Sequence, residues 1–386
     1  MQYMFHAQPM ITYGEGCSAL IGQMVQKAGV PANATVMLVH GKNVKASGLV
    51  DNIEHSLRAA GYILANFDKV ASDAPVEIIR EGAAFAQTHK ISAIVALGGG
   101  SCLDIAKAIA VMLSNEGDIL NFVGMDAVPN RRNVVLATIP TTCGTGSEVT
   151  DGGVVYDTET NRKLPFWDGY AAPDIALLDP ALLTKLPLQL VAQTALDALA
   201  HSLEAYTSVA ASPISDALAL GAIQMIAAYL PKAYTEEPRV DDLGMLLTAS
   251  TMAGMAFNRS SVHFGHSIAH AVGALAHIHH GAACALAMPL IVREESRALP
   301  EKMATVAKIF GAADVDGLTP EQIGDCVSER IRSFNESFGI KRWGQYGVTE
   351  DQIITVLQYI AQDPITQMSA QQIAPEAIAA FLKEGL

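Results

Sequence analysis

The run Ile91-Ser-Ala-Ile-Val-Ala-Leu97, closed by Gly98-Gly-Gly-Ser101, constrains the fold most. A strand that is apolar along its whole length has no face to give to water. It needs cover on both sides, as in a parallel sheet lying under helices. Asn133-Val-Val-Leu-Ala-Thr-Ile139 repeats the pattern, and Thr35-Val-Met-Leu-Val-His40, ended by Gly41, is a third β-rich run. Tyr62–Phe67 and Ile175–Asp179 read as shorter strands, and Ile11–Gly16 as a strand entering a turn. Between them Ser18–Ala28, Lys45–Ala60, Pro75–His89 and Asp104–Leu113 read as helices. Alternation of this kind predicts an α/β domain with a mostly parallel sheet.

From Pro187 the character changes to long Ala/Leu/Met/Ile-rich runs with helical spacing, broken at Pro213, Pro238, Pro289, Pro300 and Pro320. The expected organisation is an α/β domain over 1–183 and an all-helical domain over 184–386, with a ligand cleft between them. Half of the 386 residues are hydrophobic and 17% are charged, enough for large cores and suggestive of surface buried in a homodimer or larger homo-oligomer. The formal charge of −14 would repel phosphate backbones, so nucleic acid is not an expected partner. No stretch of about 20 uncharged apolar residues exists, so no membrane association is expected. Met1-Gln-Tyr-Met-Phe-His lacks the look of a signal peptide. Five cysteines, odd in number and never closely paired, suit a reducing, cytoplasmic setting and argue against a disulfide framework or a Cys-based zinc site.

Chemistry concentrates in three places. Gly98-Gly-Gly-Ser101 lies between a buried strand and a helix, where backbone N–H groups and a helix N-terminus favour phosphate; a plain tight turn is the competing reading. Asp104 and Lys107, one turn on, either close this loop on itself or touch a ligand. Pro140-Thr-Thr-Cys-Gly-Thr145-Gly-Ser147-Glu148 follows the next buried strand, at the sheet end where open α/β folds bind ligands. Ser147 is not a nucleophile elbow, because Val149 stands where that turn needs glycine. The third place is Asp197-Ala-Leu-Ala-His201 with His266-Ser-Ile-Ala-His270 and the following His277-Ile-His279-His280-Gly281. Spacing of four puts each pair on one helix face. Six of the eleven histidines fall between 263 and 280, and a carboxylate with several imidazoles suits a first-row divalent metal.

Together these motifs resemble the iron-containing (group III) alcohol dehydrogenases, over nearly the whole chain. The resemblance implies an N-terminal Rossmann-like domain, a C-terminal helical domain, and NAD(P)-dependent interconversion of small aliphatic alcohols and aldehydes. It implies Asp197, His201, His266 and His280 as metal ligands, and His270 as a catalytic histidine between metal and nicotinamide. Gly98, Gly99, Ser101 and Asp104 would hold the pyrophosphate. Thr141, Thr142, Thr145 and Ser147 would line the cofactor, with Lys163 near the ribose. His263 and His277 are placed outside the ligand set, near the site.

Two positions depart from the family pattern. Gly41 stands where an acidic residue that binds the ribose hydroxyls is expected, and Asp73 stands where Asn is expected on the adenine side. Without that carboxylate, and with Lys42 and Lys45 near, NADP is as acceptable as NAD. Four protein ligands would fill a zinc tetrahedron, which favours Fe²⁺, an ion that takes five or six; Zn²⁺ should still bind tightly and could occupy purified protein. The alternatives are a glycerol-dehydrogenase-like polyol oxidoreductase on the same scaffold, and a non-catalytic protein whose ion only pins helices.

Overall fold

The computed structural model describes Phe5 and residues 9–386; the remaining N-terminal positions, to which the signal-peptide reading applies, lie outside them. The chain divides into two compact units, one ending at Leu186 and the other made of Pro187–Leu386 together with Phe5.

The first unit carries strands β1 (Met10–Tyr13), β2 (Thr35–His40), β3 (Ile63–Phe67), β4 (Ala93–Gly98), β5 (Gly124–Met125), β6 (Val135–Pro140), β7 (Gly152–Asp157), β8 (Arg162–Trp167) and β9 (Ile175–Leu178). Its helices are α1 (Ile21–Lys27), α2 (Lys42–Ala46), α3 (Leu49–Ala59), α4 (Val76–Thr88) and α5 (Gly100–Met112). Six strands form one parallel sheet in the order β1-β9-β6-β4-β2-β3. One row across it reads Ile11, Ala176, Thr138, Ala96, Val39, Phe67. The central strand β4 is buried at every residue, as its unbroken apolar run requires. The chain leaves β2 toward β3 on one side and β4 toward β6 on the other. The carboxyl ends of β2 and β4 therefore flank a topological switch point, where doubly wound sheets bind ligands.

Lys45–Ala60 is not one helix: α2 and α3 are separate, and Gly48 between them has φ 77°, which only glycine adopts readily. Helix α5 begins at Gly100, not Asp104, so Gly100 and Ser101 are helical despite their poor helix propensity, and Thr145 packs close against Gly100. A small second sheet, β5-β8-β7, was not anticipated; β7 and β8 form an antiparallel hairpin.

The second unit is helical among the described residues: α6 (Leu188–Thr207), α7 (Pro213–Ala233), α8 (Val240–Ser260), α9 (Phe264–Ala276), α10 (His280–Glu295), α11 (Pro300–Ile309), α12 (Pro320–Glu336), α13 (Gln352–Gln362) and α14 (Pro375–Glu384). Pro213, Pro300 and Pro320 open helices at the position where a missing N–H costs nothing. Pro289 does not break the chain; it lies inside α10. A proline there leaves the carbonyl four residues back without its donor. Asn335 Nδ2 supplies one, donating to Ala285 O at 2.7 Å. Helix α7 is long and apolar enough, by length and composition alone, to cross a membrane. It packs against α6 and α8, and its Asp216 pairs with Lys302 at 2.8 Å.

Candidate functional site

In the first unit the two phosphate-friendly loops are built against each other. A Cβ at Gly99 would lie 3.1 Å from Thr142 Cγ2, and one at Gly100 would lie 2.7 Å from Thr145 Cγ2. A side chain at Gly100 would displace Thr145, and one at Gly99 would crowd Thr142, so glycine lets the threonine loop pack closely on the start of α5. Thr141 N donates to Gly98 O at 3.0 Å, fastening the loop to the end of β4. Ser147 N donates to Thr145 Oγ1 at 3.2 Å. The first N–H groups of α5 have no partner within the helix, and the positive end of its dipole lies at this turn.

Asp104 and Lys107 close the structure on itself. Asp104 accepts from Ser147 Oγ at 2.7 Å and from Val154 N at 3.0 Å. Lys107 is fully buried and donates to Ser147 Oγ, Thr150 Oγ1 and Gly152 O at 2.9, 2.9 and 2.6 Å. Burial pulls its pKa down to about 8, against the carboxylates of Asp104, Glu148 and Asp151. Burial likewise raises Asp104, which Lys107 and two hydrogen bonds oppose. Both side chains hold the loops in place.

Asp73, Ser101 and Lys163 meet as well. Lys163 Nζ pairs with an Asp73 carboxylate oxygen at 2.6 Å, and Asp73 N donates to Ser101 Oγ at 3.1 Å. Asp73 is left-handed, φ 64°, a conformation that Asp and Asn tolerate better than most residues. Gly41 precedes α2 in extended backbone, and a Cβ there would meet nothing nearer than Val70 O at 4.0 Å.

In the second unit, helices α6, α9 and α10 bring the acid and the histidines together. Gly281 makes this possible: a Cβ there would lie 2.0 Å from Gln193 O and 3.2 Å from Asp197 Cβ, so only glycine lets α10 come this close to α6. Asp197, His266, His280 and Cys284 each offer one donor atom, all within 4.8 Å of one another. His280 Nε2 lies 3.5 Å from Asp197 Oδ1, and His266 Nε2 lies 3.9 Å from it. Asp197 and His266 are each 3% exposed, and Asp197 Oδ1 and His266 Nε2 have no hydrogen-bond partner among the described residues. Leaving such atoms buried and unsatisfied is costly, about 1–3 kcal/mol each. A divalent cation removes that cost, because bonds of about 2.1 Å in a tetrahedron separate nitrogen and oxygen donors by about 3.4 Å. The donors therefore fit a metal ion.

His201 flanks the group; its ring stacks on His266 at 4.5 Å between centroids and on Phe257 at 4.3 Å. His270 is half-buried, stacked on His280 at 5.3 Å and edge-on to His266 at 6.0 Å. His277, left-handed at the end of α9, and His279 are exposed. His263 is fully buried beneath the site, bonded to Thr207 Oγ1 at 2.8 Å and 3.4 Å from Glu204.

Glu204 was missed by the sequence reading, though its spacing from Asp197 and His201 placed it on their helix face. It accepts from the backbone N–H groups of Gly265 and His266 and from His266 Nδ1. Burial would raise its pKa, but His266, His263 and these bonds bring it down to about 2. His266 responds in the opposite sense: burial lowers its pKa, and Glu204 outweighs burial and raises it. With Nδ1 committed to Glu204, the lone pair of Nε2 is directed at the donor group, the usual arrangement behind a metal-binding imidazole. Cys284 was also missed, although it lies four residues after His280.

The chain matches two family models, "Iron-containing alcohol dehydrogenase" over residues 9–180 and "Fe-containing alcohol dehydrogenase family, C-terminal" over 191–386. It is 30% identical to the NAD-dependent methanol dehydrogenase of Bacillus methanolicus over 383 residues, covering 99% of each chain. It is 31% identical to the NADPH-dependent butanol dehydrogenase of Clostridium saccharobutylicum, covering 89% of this chain and 88% of that one. A solved structure of a 1,3-propanediol oxidoreductase superposes with a TM-score of 0.94, at 29% identity and full coverage of both chains.

Proposed function

The chain belongs to the iron-containing alcohol dehydrogenase family and is an oxidoreductase, and we propose that it moves hydride between NAD(P) and a small aliphatic alcohol or aldehyde. The observation that carries this reading is the pair of buried, unpartnered atoms Asp197 Oδ1 and His266 Nε2 beside His280 Nε2. Asp197, His266 and His280, with His201 as a fourth ligand by family resemblance, would hold a divalent ion, Fe²⁺ or Zn²⁺. When bound, that ion supplies Lewis acidity to an alcohol or carbonyl oxygen, and the nicotinamide supplies or accepts the hydride.

The chain's own residues do the rest. Glu204 fixes the His266 tautomer, which keeps Nε2 available. Half-buried His270 would pass the alcohol proton toward solvent. Phe257, stacked on His201, offers an apolar surface beside the donors, suited to an aliphatic chain. The glycine and threonine loops would bind the pyrophosphate through backbone N–H groups and hydroxyls. With no carboxylate at Gly41, the adenosine 2′-phosphate of NADP meets no repulsion from that position, so both dinucleotides are accepted. Methanol and butanol dehydrogenases among the relatives support a small substrate.

The test is a panel of short aldehydes with NADH and NADPH, before and after chelation. Aldehyde-dependent oxidation of the nicotinamide, lost on chelation and restored by Fe²⁺ or Zn²⁺, is expected. Turnover that survives complete removal of metal would refute the reading.

A further inference from the structure

We propose that Cys284 is a direct sulfur donor to the ion, which makes this centre a mixed oxygen, nitrogen and sulfur site that holds Zn²⁺ and Co²⁺ more tightly than Mn²⁺. The inference rests on the metal reading above and deepens it. A buried cysteine is most often inert packing. Three observations set this one apart. Its Sγ lies within 4.8 Å of the donor atoms of Asp197, His266 and His280. It is in hydrogen-bond contact with His280 Nε2 at 3.6 Å, a contact that joint ligation of one ion would replace. The site it faces contains two buried polar atoms, Asp197 Oδ1 and His266 Nε2, without hydrogen-bond partners among the described residues.

The spacing is that of neighbouring ligands. With about 2.3 Å to sulfur and about 2.0–2.1 Å to nitrogen, neighbouring donors on one ion at angles of about 110° stand about 3.6 Å apart. Helical geometry accounts for the placement, since Cys284 is four residues after His280 on α10 and shares its face. Cys284 is also fully buried, so the sulfur is shielded from solvent oxidants and disulfide exchange. Ligation replaces the S–H bond with a sulfur–metal bond, and the proton leaves to solvent. Thiolate is a soft donor. It strengthens binding of Zn²⁺ and Co²⁺ far more than of Mn²⁺, which prefers oxygen.

The experiment loads the full-length protein with Co²⁺ and compares it with Cys284→Ser and Cys284→Ala, both checked for native circular dichroism. The wild type should bind one Co²⁺ and show a sulfur-to-cobalt charge-transfer band in the near ultraviolet. Both variants should keep Co²⁺ but lose the band. Their Zn²⁺ affinity should fall by more than about tenfold, with Mn²⁺ affinity unchanged. One bound Co²⁺ without the band, or a band that survives in both variants, overturns the cysteine assignment and leaves the rest of the metal site standing. Failure of the wild type to bind Co²⁺ or Zn²⁺ overturns both.

Discussion

Glu204→Gln separates a site built for metal from one that is merely packed. Glu204 receives three hydrogen bonds from α9, two from backbone N–H groups and one from His266 Nδ1. A glutamine of the same shape keeps its carbonyl oxygen on the backbone donors. Its NH₂ group then faces His266 Nδ1, and two donors cannot share that contact. The ring proton must shift to Nε2, the atom directed at Asp197 and the metal, where it blocks the lone pair. Loss of such a supporting carboxylate typically weakens metal binding by 10–100-fold, about 1.4–2.7 kcal/mol. The assay is competition with a chromophoric chelator for Zn²⁺ and Co²⁺ at neutral pH, with nicotinamide binding as the control for intact folding of the first unit. A dissociation constant within about twofold of wild type would refute the tautomer argument.

Other outcomes follow from the same structure. His266→Ala and His280→Ala should each lose metal and turnover while still binding the dinucleotide; normal metal content and kcat in both would remove them from the ligand set. Gly41→Asp has room, since its Cβ would meet only Val70 O at 4.0 Å. The new carboxylate should raise the NAD-to-NADP ratio of kcat/KM by about tenfold or more, about 1.4 kcal/mol, and an unchanged ratio would count against the cofactor loop. Burial lifts the Glu295 carboxyl from the ordinary 4.5 to about 8, against hydrogen bonds from Ser369 and Gln371. The folded protein therefore holds a proton there that the unfolded chain has released, and stability falls as pH rises through about 4.5–8. At 1.36 kcal/mol per pH unit that gap is worth up to about 5 kcal/mol. Melting of Glu295→Gln should lose much of this pH dependence, and a slope equal to wild type would show that Glu295 does not carry it.

What was legible in the sequence had a short-range physical cause. Continuous apolar runs marked β4 and β6 because both faces of each strand need cover. Spacing of four marked the acid and histidine pairs that share a face of α6 and of α9. What was illegible depended on contacts distant in sequence. The β7–β8 hairpin was hidden by Pro165, which argues against a strand until it is seen paired with Val154. Pro289 looked like a break because its remedy, Asn335, lies 46 residues later. Gly100 and Ser101 looked like a turn because their low helix propensity is local, while Thr145, which packs against Gly100, is distant in sequence. The choice of His280 over its neighbours His277 and His279 rested on family resemblance. The structure gives the physical reason: Gly281 seats α10 against α6 and brings His280 beside Asp197, while the other two point to solvent.

The central claim is that Asp197, His266 and His280 enclose one divalent ion. Anomalous diffraction at the iron or zinc edge, from crystals of the metal-loaded protein, tests it directly. A single strong peak bonded to Asp197, His266 and His280 is the predicted result. A loaded crystal whose anomalous peak lies elsewhere, with these three side chains bonded only to protein or water, would contradict the account.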